Sequence, residues 1–116
     1  MKVAQLKGVL GQAINKSVEE RFKKLDYALL ESPFAKRDEV DNAWRCEFWG
    51  KIIRSAITAY CTTQDETLGK LLEKTVQAMM ATQTGDGCIS TYPAERQLGG
   101  WDVWGRKYVL LALLRY

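Results

Sequence analysis

The hydrophobic positions of the first part of the chain recur with helical spacing. Leucine, isoleucine, valine and phenylalanine follow one another at steps of three or four positions, at Leu10, Ile14, Val18, Phe22, Leu25 and Leu29. That spacing places them on one face of an amphipathic helix. The pattern predicts one helix over residues 7–30, ended by Ser32 and Pro33 because proline disfavours helical geometry in the residue before it. Residues 34–41 are mainly polar and are predicted to form a linker.

A second and a third helix are predicted over residues 42–62 and 66–83. The second is apolar around much of its circumference, which is typical of a buried helix; its apolar positions are Trp44, Phe48, Trp49, Ile52, Ile53, Ala56, Ile57 and Tyr60. The third has a charged face and an apolar stripe, which is typical of a half-exposed helix. The stripe consists of Leu68, Leu71, Leu72, Val76, Met79 and Met80. Thr63 and Glu66 match a capping box, in which both side chains satisfy free backbone N–H groups.

A glycine-rich segment, residues 84–100, precedes the fourth helix. It contains four glycines and one proline, and loops of this length are commonly functional or disordered. The rather apolar run at residues 88–92 favours order. The fourth helix is predicted over residues 103–116, and it stays apolar to its end without a cap, glycine or proline. Since helices usually carry such stop signals, we expect residues 1–116 to be one domain cut from a longer chain.

Two five-residue motifs show an internal repeat. Residues 47–51 and 102–106 both have the order acidic, apolar, Trp, Gly, basic, and they are offset by 55 residues. The offset predicts helical hairpins that repeat with this period, as in an α/α toroid, and an open α-solenoid would also alternate buried and half-exposed helices. The plainer interpretation is that each Trp-Gly pair merely lets two helices approach closely while the indole fills the gap.

Composition and charge narrow the classes of function. The chain contains no histidine, which excludes a Ser-His-Asp triad, a Cys-His dyad and a His-ligated metal within it. The net charge of +3 is spread along the chain and gives little support to nucleic acid as a partner.

Cys46, Cys61 and Cys88 match no zinc-binding spacing and are predicted to be reduced structural thiols. No apolar run is long enough to span a membrane. The N-terminus lacks a signal-peptide core, and the compartment, cytoplasmic or periplasmic, stays open.

Three stretches of the chain, residues 44–51, 81–87 and 100–108, occur in an order and at a spacing that resemble glycoside hydrolase family 127. This is the bacterial β-L-arabinofuranosidase-like family, formerly a domain of unknown function. The similarity to its N-terminal region extends from about Leu6 to Tyr116. The resemblance implies an all-α fold made of helical hairpins of an (α/α)6 barrel, the six-hairpin glycosidase type, with about two hairpins in this chain and β-rich domains after the barrel.

The same resemblance implies a glycoside hydrolase that acts on plant-type or arabinofuranose-containing glycans. The family uses a cysteine nucleophile, a glutamate acid/base and a zinc site of glutamate and cysteines, all in motifs downstream of the matched region. No cysteine of this chain lies in a Glu-x-Cys or Cys-Cys pattern. We therefore expect no catalytic group, no metal ligand and no cofactor in this chain, which alone would be inactive. Zinc would belong to the full-length parent.

The candidate sugar contacts lie in the glycine-rich segment and at the predicted starts of the buried helices. Sugar sites combine aromatic faces with carboxylates because sugar rings have apolar C–H faces and polar rims. In an α/α barrel the loops that feed the inner helices line the pocket. The predicted substrate contacts are therefore Trp44, Glu47, Asp86, Tyr92, Trp101 and Asp102.

Plainer interpretations of these residues stay open. The tryptophans, including Trp49 and Trp104, can serve core packing, Asp86 can belong to a Gly-Asp-Gly turn, and Glu47 can pair with Lys51 along one helix. Two other functions also stay open. One is a non-catalytic helical interaction module that self-associates through exposed apolar faces, and the other is a different α/α-toroid enzyme such as a cyclase or lyase.

Overall fold

The structure is a computed structural model that describes residues 6–40 and 43–116. Within these residues the chain forms helices and no strand, so the predicted all-α class is confirmed. The α-helices are α1 (Gly8–Ser17), α2 (Tyr27–Lys36), α3 (Arg45–Thr63), α4 (Glu66–Ala81) and α5 (Gly100–Arg115). A π-helical turn, Val18–Phe22, follows α1, and a short 3-10 helix, Ala94–Arg96, precedes α5. The ends of α3, α4 and α5 agree with the sequence prediction within three residues, except that residue 42, where the second helix was predicted to begin, lies outside the described residues.

The single helix predicted over residues 7–30 is wrong. The chain passes from α1 into the π-helical turn, leaves helical geometry, and starts a new helix after Asp26, whose carboxylate accepts a hydrogen bond from the backbone N–H of Leu29 at 3.1 Å. Asp26 is therefore an N-cap, a position that aspartate favours because its oxygen satisfies a free N–H of the first turn. The apolar stripe is broken accordingly, since Val18 is buried while Leu10 and Leu29 are about two-thirds exposed.

Pro33 does not end a helix, contrary to the sequence prediction, but lies inside α2. A proline within a helix leaves the carbonyl four residues earlier without its usual N–H donor. Here that carbonyl belongs to Leu29, which is exposed to water, and the hydroxyl of Ser32 donates to it at 3.4 Å. The predicted linker therefore begins within the helix, and Phe34, which α2 carries into the core, is 1% exposed.

The turn between α3 and α4 also differs from its prediction. Thr63 is the last residue of α3 and does not cap α4. The cap is Asp65, whose carboxylate accepts from the N–H of Leu68 at 2.8 Å. Lys23 binds the other oxygen of Asp65 at 2.8 Å. This contact joins the chain segment after α1 to the start of α4.

Helix α3 is the centre of the fold. It packs against all four other α-helices, and its buried face includes Trp49, Ile53 and Ala56, each 0% exposed. Helices α2 and α4 pack on one side of α3 and on each other, and α5 packs along another side. The buried helix predicted from the dense apolar pattern of this segment is confirmed.

Helices α3 and α5 run parallel and approach closely at two glycines. A Cβ added at Gly50 would lie 2.4 Å from the carbonyl carbon and oxygen of Tyr108, and one added at Gly105 would lie 2.4 Å from Cβ and Sγ of Cys46. Contacts thus advance along both helices in the same direction, from Cys46 with Gly105 to Gly50 with Tyr108. A side chain at either position would push the helices apart.

Candidate functional site

Four aromatic rings form a continuous row where the N-terminal halves of α3 and α5 meet. We call this row, Trp44, Trp101, Trp104 and Tyr108, the aromatic ladder. Successive ring centroids are 6.1, 6.2 and 5.4 Å apart, and each pair meets edge to face, an arrangement that the ring quadrupoles favour. All three indoles are exposed by about two-fifths of their surface. The ladder is therefore an aromatic surface in contact with solvent.

Trp44 is positioned by the chain segment that precedes α3. Its backbone has φ of 51°, in the left-handed region that a tryptophan rarely adopts. The neighbouring Arg45 fixes this geometry, because its N–H and Nε both donate to the carboxylate of Glu39, at 3.3 and 3.1 Å. Glu39 is itself 1% exposed and donates its backbone N–H to Thr91 at 3.0 Å. Glu39 thus links the start of α3 to the glycine-rich segment, and Trp44 lies beside Trp101.

Glu47 lies beside the ladder and links α3 to α5. The indole N–H of Trp104 donates to one of its carboxylate oxygens, and Lys51 binds the other at 2.7 Å. Partial burial acts to raise the pKa of Glu47, but the hydrogen bonds from Lys51 and Trp104 outweigh it and hold the pKa below its usual value. Glu47 is therefore ionised at neutral pH, and its carboxylate is a hydrogen-bond acceptor beside the ladder.

Two ammonium groups flank the far end of the ladder. Lys107 Nζ lies 3.4 Å from the ring centroid of Trp104 and 4.4 Å from that of Tyr108. Lys51 Nζ lies 4.8 Å from the centroid of Tyr108. These are cation–π distances. The face of Trp104 is thus occupied by Lys107, and this lysine marks one end of the exposed ring surface.

Asp102 lies beneath this surface and is 1% exposed. It accepts hydrogen bonds from Ser90 Oγ at 2.5 Å and from the N–H of Leu98 at 2.7 Å, and it pairs with Arg106 at 2.9 Å. Leu98 has φ of 65°, again in the left-handed region. Asp102 therefore fastens the glycine-rich segment to α5, and its carboxylate presents almost no surface to a ligand.

Tyr92 and Asp86 are placed differently from the tryptophans. Tyr92 is 2% exposed, and with Ser90 and Thr91 it forms the buried part of the glycine-rich segment; the order predicted for residues 88–92 is confirmed. Asp86 is exposed in a turn, where it accepts from the hydroxyl of Thr84 and from the N–H of Cys88 at 3.3 Å. The Thr84 hydrogen bond lowers the pKa of Asp86. This matches the plainer interpretation of Asp86 as a turn residue.

The structure thus brings together three of the six predicted contacts, namely Trp44, Glu47 and Trp101. Trp104, Tyr108 and Lys107 join them, although the sequence analysis assigned Trp104 to core packing at least as readily. A signal for Trp104 and Tyr108 existed, since they follow Trp101 at steps of three and four positions on one helix face. Lys107 had no such signal. The aromatic pattern alone did not tell whether that face would be covered.

Cys46 lies next to the ladder and is a buried thiol. It is 2% exposed, and its thiol donates to the carbonyl of Trp101 at 3.3 Å. Burial raises the pKa of Cys46 to about 11, and the nearby carboxylates of Glu39, Glu47 and Asp102 contribute further. Because the thiolate is the reactive form, burial and the raised pKa disfavour reaction at Cys46, which contributes to the α3–α5 contact.

Metal-binding clusters and membrane-spanning helices are both missing from residues 6–40 and 43–116, which the structure describes. There, no group of three or more Cys, Asp and Glu side chains is arranged to hold a metal ion, and no helix is both long and apolar enough to cross a bilayer. A scan against models of protein families and searches of curated proteins and of solved structures each find no match.

Proposed function

We propose that this chain forms part of the carbohydrate-binding wall of a glycoside hydrolase with an (α/α)6 barrel, as the resemblance to family 127 implies. In such a barrel α3 and α5 are adjacent inner helices, and α4 is the outer helix that connects them. The parallel packing of α3 and α5, with α4 against α3, is compatible with this arrangement. The glycans are of the plant type or contain arabinofuranose.

The exposed aromatic ladder is the observation that carries this proposal. Trp44 and Trp101 present about two-fifths of their surfaces at the N-terminal ends of two parallel helices, where the inner-helix loops of an α/α barrel line the pocket. Aromatic faces bind the C–H faces of sugar rings, and the ionised Glu47 offers an acceptor to hydroxyl groups. Large aromatic side chains are usually buried, whereas these two are exposed. Each adjoins a buried acid or the partner of one: Glu39 binds Arg45, which follows Trp44, and Asp102 follows Trp101.

The test measures the binding of a neutral arabino-oligosaccharide, such as arabinotriose, by ligand-observed NMR. We expect weak binding, with a dissociation constant on the order of millimolar, since one wall buries only part of a ligand. Trp44→Ala and Trp101→Ala should each abolish the signal. Leu114→Ala is the matched control, because Leu114 is 75% exposed near the other end of α5. Binding that survives both tryptophan substitutions would contradict the proposal.

The same protein should not hydrolyse nitrophenyl glycosides. Proton transfer and nucleophilic attack need positioned groups at reacting distance, and Asp102 is buried while Glu47 is bound to Lys51 and Trp104. The assay includes Glu47→Gln and Asp102→Asn. Turnover that either substitution abolishes would show that the chemistry lies in this chain.

A second candidate function, a self-associating helical module, is favoured by an apolar groove between α4 and α5. The groove has a volume of about 510 Å³ and is lined by Met80, Ile89, Val103, Val109, Leu110 and Leu113, among others. Leu110 and Val103 are more than half exposed. Equilibrium sedimentation distinguishes the candidates, because a dimer that Leu110→Lys dissociates supports self-association through this groove.

A further inference from the structure

The charges around the aromatic ladder are unevenly distributed. Glu47 binds Lys51, and buried Asp102 binds Arg106, so these four residues neutralise one another. Lys107 is left over, because no carboxylate among residues 6–40 and 43–116 lies within ion-pairing distance of its Nζ. Lys107 therefore places on an exposed aromatic surface a positive charge that no ion pair balances, and Glu47 acts on it only at longer range.

The position of Lys107 relative to the rings is specific. Its ammonium group lies over the face of Trp104, so a sugar ring cannot stack there without displacing it. Trp44 and Trp101 have no such cation in the described part of the chain. A glycan that stacks on these two indoles therefore meets the ammonium group at the next ring along the ladder.

A cation–π contact leaves the ammonium able to bind an anion. The ring attracts the positive charge, but the N–H donors that point away from the ring still need acceptors, which at an exposed site are water molecules. A carboxylate of the ligand can replace that water and form a charge-assisted hydrogen bond. Tyr108, which lies between Lys51 and Lys107, helps to keep both ammonium groups in place.

We propose that the ladder binds an acidic glycan, one with a uronic acid residue whose carboxylate is held by Lys107 while a neighbouring sugar stacks on Trp44 and Trp101. This rests on the proposed function and specifies its substrate class. Single-stranded nucleic acid also combines stacking with cations, but it binds along a positively charged groove, and of the two lysines beside the ladder Lys51 is already paired with Glu47.

The experiment compares trigalacturonic acid with its methyl ester, which has the same skeleton and no charge. Binding is measured by ligand-observed NMR at low salt with the intact chain. We expect the acid to bind about fivefold more tightly than the ester, the effect of one exposed ion pair, and the preference to fall as salt screens it. Lys107→Gln should remove the preference, and Lys107→Arg should retain it. Lys70→Gln, on the exposed face of α4, makes the same change in net charge and should leave the preference for the acid unchanged.

The outcomes separate the two proposals. Equal binding of acid and ester overturns the acidic-glycan proposal and leaves the carbohydrate-binding wall supported. A preference that persists in Lys107→Gln overturns the role of Lys107. If neither trisaccharide nor arabinotriose binds, both proposals are wrong, and binding of a thymidine oligonucleotide in their place would assign the ladder to nucleic acid.

Discussion

The starts of α3 and α5 have the same five-residue pattern and opposite environments. Trp49 is 0% exposed, and its indole N–H donates to Thr75 Oγ1 at 2.9 Å, while Trp104 is 39% exposed and donates to Glu47. The acids of the two motifs show the reverse distribution. Asp102 of the second motif is buried, while Glu47 of the first motif reaches the surface. Where the first motif buries its tryptophan, the second buries its acid.

The glycines of the two motifs, in contrast, have the same role. Gly50 and Gly105 both lie in the α3–α5 contact, where neither has room for a Cβ. The plainer interpretation of the repeat, close approach of two helices, therefore accounts for both glycines and for buried Trp49. It does not account for Trp104, whose indole closes no gap in the core. The comparison teaches that a repeated motif can preserve a backbone contact while its side chains take different roles.

The largest expected difference between the motifs concerns the tryptophans. Trp49→Ala should lower the free energy of unfolding by about 4 kcal/mol, because it empties a fully buried site between α3 and α4. Trp104→Ala should cost about 1 to 2 kcal/mol, since it removes edge-to-face contacts, an exposed hydrogen bond and the cation–π contact with Lys107. Urea unfolding followed by far-UV circular dichroism measures both.

Trp49→Phe serves as a milder variant if Trp49→Ala does not fold. It keeps most of the ring volume, and it should cost about 1 to 2 kcal/mol through the lost hydrogen bond to Thr75. Equal effects of the alanine substitutions at 49 and 104 would mean that the two motifs are equivalent in solution, contrary to the structure.

The fold could be predicted from the sequence where the apolar pattern is dense and belongs to one helix. Helices α3, α4 and α5 satisfy this condition, and their predicted limits differ from the observed ones by three residues at most. The first helix fails because Ile14, Val18 and Phe22 continue in phase with Leu25 and Leu29 across a true break. Only the Asp26 cap marks that break, and a strong apolar pattern outweighed it.

The second prediction compares the two glycines. Gly50→Ala should lower the free energy of unfolding by about 2 to 3 kcal/mol, because the new Cβ clashes with the backbone of Tyr108. No substitution at Tyr108 can remove these backbone atoms. Gly105→Ala should cost a similar amount, but its clash is mainly with the side chain of Cys46. The double variant Gly105→Ala/Cys46→Gly should therefore recover about 1 kcal/mol or more.

Two controls make this test specific to the contact. Gly85→Ala has no atom within 4 Å of its new Cβ and should leave stability unchanged or slightly raised. Cys46→Gly should not rescue Gly50→Ala, since the two changes act on different contacts. A rescue of both glycine variants by Cys46→Gly would mean that the helices separate as a unit and that the two contacts are not distinct.

The candidate site could be predicted only in part. Aromatic residues and acids near helix starts identified Trp44, Glu47 and Trp101, because residue type and position suffice to place them near one another. They did not separate Glu47 from Asp102, which occupy equivalent positions in the repeat. Their difference depends on Ser90 and Leu98, which bring hydrogen-bond donors to Asp102 from an irregular segment that no periodic pattern describes.

The smallest expected effect concerns the pH dependence of Glu47. Its pKa is lowered in the folded state, because the hydrogen bonds from Lys51 and Trp104 outweigh burial, so ionised Glu47 stabilises the fold above the pKa of the unfolded chain, about 4.3. That contribution is lost as the pH falls through the folded pKa. Glu47→Gln should therefore lower the free energy of unfolding by about 0.5 kcal/mol at neutral pH, and the difference should shrink towards zero in acid.

Carboxyl-carbon NMR titration measures the pKa of Glu47 directly, and so reports whether hydrogen bonding or burial dominates. Lys51→Gln should raise the pKa of Glu47 towards its ordinary value, and Trp104→Phe should raise it by less, since the lysine hydrogen bond is the stronger of the two. A wild-type pKa above the ordinary value would reverse the argument, because burial would then dominate. A pKa raised as far as about 6 would leave Glu47 partly protonated near neutral pH, as the general acid of a glycosidase is, and would place a catalytic group at the first motif.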